Sequence, residues 1–104
     1  MKIDKPEGTC PPHCTRFEKV DTAGGPVILG NPTRQQVRRW RSVAMKVDGN
    51  MGEAYETLFL DMWCGDPKAA QALLDEWPGV CTSGDAIAAM NRLAGITNEE
   101  AGKA

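Results

Sequence analysis

Three metal-competent donors stand within five positions, Cys10, His13 and Cys14, around the proline pair Pro11 and Pro12, and His13 is the only histidine in the chain. Thiolate and imidazole are the ligands of structural zinc, which takes four of them in a tetrahedron. The two-residue gap between Cys10 and His13 is the spacing of half such a site. The other half has to come from far along the chain, from Cys64 or Cys81. A helix of roughly 11 residues, hence about 16 Å, separates these two, so one metal reaches one of them more easily than both. The expected ligand set is Cys10, His13, Cys14 and Cys64, with Cys81 as the alternative fourth ligand and zinc as the ion. The competing reading makes Cys64 and Cys81 small buried hydrophobes and leaves Cys10, His13 and Cys14 as residues of a turn.

Disulfides and catalysis are weaker uses of the same thiols. Bridged Cα atoms must approach within about 7 Å, which the helix between Cys64 and Cys81 disfavours, and Pro12 stiffens the loop that a Cys10 to Cys14 bridge must close. A nucleophilic thiol needs a base beside it. On an extended backbone His13 and Cys14 point apart, and there is no second histidine. The chain also lacks a phosphate-binding P-loop, an HExxH helix and a GxSxG turn. The sequence therefore reads as non-catalytic.

The second chemistry is charge. Arg34, Arg38, Arg39 and Arg41 crowd one segment, with Gln35, Gln36 and Lys46 beside them. On a helical repeat Arg34, Arg38 and Arg41 share a face, with the apolar Val37, Trp40, Val43 and Ala44 turned away from it. Guanidinium groups in a row repel one another unless something acidic sits against them, either a carboxylate patch or nucleic-acid phosphate. Gln35 and Gln36 can reach base edges, but the helix after the next short turn carries Asp75 and Glu76, the wrong sign for a recognition helix. Glu53, Glu56 or Asp61 can neutralise part of the arginine face, and an exposed charge run by itself contributes little.

Helices must position these residues. Asn31 can cap and Pro32 can occupy the first helical position of a helix over 32–47 that ends near Gly49. Asn50 with Glu53 resembles a capping box for a helix over 50–64. Met51, Ala54, Tyr55, Leu58 and Met62 line one stripe of it, and Phe59, Leu60 and Trp63 project elsewhere. A helix apolar most of the way round sits in the centre of a core or has a face covered by a partner. Asp66 and Pro67 open a helix over 67–77, and Ser83 opens one over 84–94 that stops at Gly95. Thr97 with Glu100 makes a last, weak capping box. Ahead of all this, Pro6, Gly8, Pro11, Pro12, Gly24, Gly25, Pro26 and Gly30 interrupt residues 1–30. There Thr15 to Asp21 and Val27 to Leu29 can pair as a short hairpin across Ala23, Gly24 and Gly25.

The expected fold is thus all-α, a bundle of about four helices over 31–96, with an irregular N-terminal arm over 1–30 and a tail or short helix over 97–104. With 104 residues the chain has room for one core. Residues 1–47 hold nine Lys and Arg against four Asp and Glu, and the remainder three against ten. That split supplies either internal complementarity or two electrostatic faces. Lys2, Asp4, Lys5 and Pro6 stand where a signal peptide needs an unbroken apolar stretch, and no segment approaches membrane-spanning length, so a cytoplasmic protein without a membrane partner is expected. The function expected is a non-catalytic interaction or regulatory protein that binds another protein through Arg34, Arg38, Arg39, Arg41, Phe59, Leu60 and Trp63. A nucleic-acid-binding regulator using the same helix is the alternative. A structural or assembly component, for example of a virus particle, is the third class.

Overall fold

Glu18 and Val20 lie two residues apart, hence on one face of an extended chain, and both are buried. They belong to a β-hairpin, the pairing that the sequence offers as an option within an otherwise irregular arm. The computed structural model describes residues 2–3, 10–46 and 51–96. Its fold is mixed α and β, which corrects the all-α expectation. Strand β1 (Lys2–Ile3) pairs antiparallel with β2 (Phe17–Thr22), and β2 pairs antiparallel with β3 (Gly25–Gly30). Thr22 faces Gly25 across the two-residue loop Ala23 and Gly24, and Gly25 takes φ +108°, a conformation that favours glycine. The glycines and prolines that suggested irregularity are thus the punctuation of strands. Gly24 and Gly25 make the turn, Pro26 stands on an outer strand where a missing N–H is tolerated, and Gly30 ends the pairing.

Helix α1 (Arg34–Ala44) begins later than expected. Thr33 is its cap: its Oγ1 accepts the Gln36 N–H at 3.1 Å, and Gln36 Oε1 accepts the Thr33 N–H at 2.9 Å. This reciprocal box outcompetes Asn31 and Pro32, leaving Asn31 for another task. Helices α2 (Met51–Met62), α3 (Pro67–Glu76) and α4 (Gly84–Ala94) follow, with a 3-10 turn at Val80–Thr82. Asp66 caps α3 through the Lys68 N–H, Ser83 caps α4, and Gly95 closes α4 at φ +75°. The expected signals at Val47, Gly49, Asn50, Thr97 and Glu100 lie outside the described residues.

Helix α2 occupies the centre. Ala54, Tyr55, Leu58, Phe59 and Met62 are all buried, against α1, α4, the 3-10 turn and β3. Trp40 of α1 packs edge-on against Tyr55 with ring centroids 5.5 Å apart, and the Tyr55 hydroxyl donates to Asn91 Oδ1 of α4 at 2.8 Å. Helix α4 lies against β2, where the buried Glu18 carboxylate accepts from Arg92 Nη2 at 2.6 Å and Nε at 3.1 Å. Burial works against the charged carboxylate, but the Arg92 hydrogen bonds and charge, together with the positive charge of the chain's N-terminus, outweigh it and hold Glu18 below the usual carboxylate range. Among the described residues no helix is long and apolar enough to cross a membrane.

Candidate functional site

The thiol corner starts from a turn. The Cys14 N–H donates to Pro11 O at 3.1 Å, and the tightened backbone brings His13 Nε2 to 3.7 Å from Cys14 Sγ. The expectation that these neighbouring side chains point apart assumed an extended backbone, which the turn replaces. Asn31, released from helix capping, holds the segment from the far end of the hairpin. Its Oδ1 accepts the N–H groups of Thr15 and Arg16 at 2.8 and 2.9 Å. Its carbonyl oxygen lies 3.0 Å from His13 Nε2 and accepts from Cys14 Sγ at 3.3 Å.

Cys64 reaches the same corner through the main chain. Beyond α2, Trp63 forms an isolated antiparallel bridge with Leu29, and the Cys64 N–H donates to Ile28 O at 3.0 Å. Gly30 separates the two thiols. A Cβ there would stand 2.6 Å from Cys14 Sγ and 3.4 Å from Cys64 Sγ, so the approach requires glycine. By the same distances the two sulfurs lie within about 6 Å of each other. Cys10 lies near enough to Cys64 and Cys14 to push both thiols up. Cys10, His13, Cys14 and Cys64 therefore converge on one corner, at which all three cysteines are free thiols. Burial pushes the Cys64 thiol pKa far up, and the neighbouring Cys10 and Cys14 push the same way. Burial also raises Cys14, with Cys10 adding to it. Among the described residues no three His, Cys, Asp or Glu side chains are placed so that they could hold a metal ion as they stand; His13 and Cys14 are turned onto the Asn31 carbonyl.

Cys81 is elsewhere. It sits on the 3-10 turn, buried within the main core. Burial, followed by the charge of Glu56, pushes its thiol up to about 12. Of the two distant candidates for a fourth ligand, Cys64 is the one brought to the cluster.

The arginines divide. Arg39 is paired with Asp61 of α2, a bridge whose arginine is half exposed. Arg34, Arg38 and Arg41 line one recess of about 360 Å³, joined there by Arg16, which donates from Nη2 to the Leu93 carbonyl at 2.8 Å. Its apolar wall is Pro32, Val37, Leu93 and Ala94. Val37, expected on the stripe turned away, lines this recess with Leu93 and Ala94 of α4. Arg16 was missed by the sequence reading. It stands eighteen positions before Arg34, and only the packing of the hairpin against α4 brings it there.

The apolar partner residues divide too. Leu60 and Trp63 are half-buried and line a separate recess with Pro67, Lys68, Ala70 and Gln71, where Trp63 Nε1 donates to Asp66 O at 3.1 Å. Phe59, expected on the partner-facing surface, is fully buried. It packs on Trp63 with ring centroids 5.7 Å apart. Phe59 is part of the main core and needs no partner to cover it. No protein-family model matches the chain, nor does any curated protein or solved structure.

Proposed function

We propose that this is a non-catalytic interaction protein that binds an acidic protein segment in the recess beside α1. The observation that carries the reading is the gathering of Arg16, Arg34, Arg38 and Arg41 around a wall of Pro32, Val37, Leu93 and Ala94. Guanidinium groups supply forked donors for carboxylates, and the apolar wall suits side chains in a way that a phosphate backbone does not use.

The test uses fluorescent peptides that interleave glutamate with leucine, set beside a single-stranded and a duplex oligonucleotide. Peptide binding that falls at least about tenfold in the Arg34→Glu, Arg38→Glu, Arg41→Glu triple variant, with unchanged circular dichroism and melting, supports the reading. Tighter binding to an oligonucleotide, with an affinity that drops steeply with salt, replaces it by the nucleic-acid reading. Absence of binding to either probe at low salt overturns both.

A further inference from the structure

Two segments that are remote in sequence deliver soft ligands to one corner, and a third leaves room for them. The turn from Pro11 to Cys14 supplies Cys10, His13 and Cys14; the end of α2 supplies Cys64; and Gly30 keeps the space between them clear. In a tetrahedral site with Zn–S near 2.3 Å and Zn–N near 2.0 Å, a sulfur and a nitrogen ligand stand about 3.6 Å apart and two sulfurs about 3.8 Å. His13 Nε2 and Cys14 Sγ are 3.7 Å apart. Cys14 and Cys64 approach the same point at Gly30, and Cys10 stands four positions before Cys14 at the start of the same turn segment. Ordinary core packing gives no reason for three thiols to meet here. The main core already buries Cys81 alone, among hydrocarbon neighbours, where a free cysteine packs as a small hydrophobe.

We propose that Cys10, His13, Cys14 and Cys64 form a structural zinc site that ties the N-terminal turn and the end of the hairpin to the end of α2. Binding takes His13 Nε2 and Cys14 Sγ off the Asn31 carbonyl and turns them onto the ion. Three thiol protons leave to solvent, the imidazole proton moves to Nδ1, and no electron is exchanged. Three thiolates select zinc over magnesium or calcium, which prefer oxygen. Asn31 then acts beyond the ligands, because its Oδ1 fixes the backbone that follows Cys14. The site does not depend on the arginine recess, and its test reads neither peptide nor oligonucleotide binding.

The full chain is produced with zinc in the medium, passed over a desalting column and measured by elemental analysis and by native against denaturing mass spectrometry. One zinc per chain is expected for the wild type and for Cys81→Ser, falling at least about tenfold in Cys64→Ser. Cobalt reconstitution of the unaltered chain gives thiolate charge-transfer absorption and tetrahedral ligand-field bands, a readout that stands even if Cys64→Ser fails to fold. Metal-free wild-type protein that also gives no such cobalt spectrum overturns the site. So does a native disulfide among Cys10, Cys14 and Cys64, or a folded Cys64→Ser that keeps its full zinc.

Discussion

The thiol corner and the arginine recess each join residues of the first half of the chain to residues of the second, yet they are assembled in opposite ways. Arg34, Arg38 and Arg41 share a face because one helix repeats every 3.6 residues, and little beyond α1 is needed to bring them together. Cys14 and Cys64 meet because a hairpin folds back, a turn tightens and the residues after α2 add to the edge of β3. The difference teaches where a substitution should be felt. Damage to the hairpin and its corner should cost folding free energy, whereas damage to the arginine face should cost binding and little else.

The largest effect should come from releasing the hairpin from α4. Arg92→Ala leaves the buried Glu18 carboxylate without its guanidinium partner, and a loss of about 3 kcal/mol is expected by urea denaturation, at the low end for a buried pair because the arginine is half exposed. The pair also has a pH signature. Since Glu18 is held below the usual carboxylate range, its contribution is complete above the ordinary glutamate pKa and fades as the pH falls through the lowered value. The wild type should therefore lose melting temperature across that acidic window faster than Glu18→Gln. Parallel curves would remove the pair as the anchor.

Gly30→Ala comes next, since the added methyl meets Cys14 Sγ at 2.6 Å and Cys14 Cβ at 3.0 Å. A loss of about 2 kcal/mol is expected, in the range for overpacking. A neutral result would mean that the corner is loose and that the contrast with α1 is overstated. Asn31→Ala removes the acceptor for the Thr15 and Arg16 N–H groups and should cost about 1 kcal/mol by thermal melting. The smallest effect belongs to α1 itself: Arg39→Ala, which breaks only the exposed bridge to Asp61, should change stability by no more than about 0.5 kcal/mol. A larger change there would make the arginine helix a folding element and erase the distinction.

How far each region was legible follows from the same contrast. Asp66, Ser83 and Gly95 signalled helix ends that the chain uses, because capping is a matter of a few consecutive residues. The apolar run of α2 was readable as central for the same local reason. The hairpin is legible only as an option within an irregular arm, since Pro26, Gly24 and Gly30 break the strand pattern until the partner strand explains them, and its weight in the core, which makes the fold mixed α and β, is not. Phe59 was read as exposed because the cover it receives comes from elements distant in sequence, and Asn31 was read as a cap because nothing local reveals that Thr33 and Gln36 satisfy each other.

What the sequence determined by itself is whatever repeats or terminates within one turn of helix: the four helical segments, the shared face of Arg34, Arg38 and Arg41, and the short spacing of Cys10, His13 and Cys14. The tertiary structure decided that Cys64 and not Cys81 joins them, that Arg16 enters the recess and that Phe59 leaves the surface. The physical reason is that these placements depend on contacts between residues far apart in the chain. Such contacts form only when a hairpin, a helix end and a glycine gap are satisfied together.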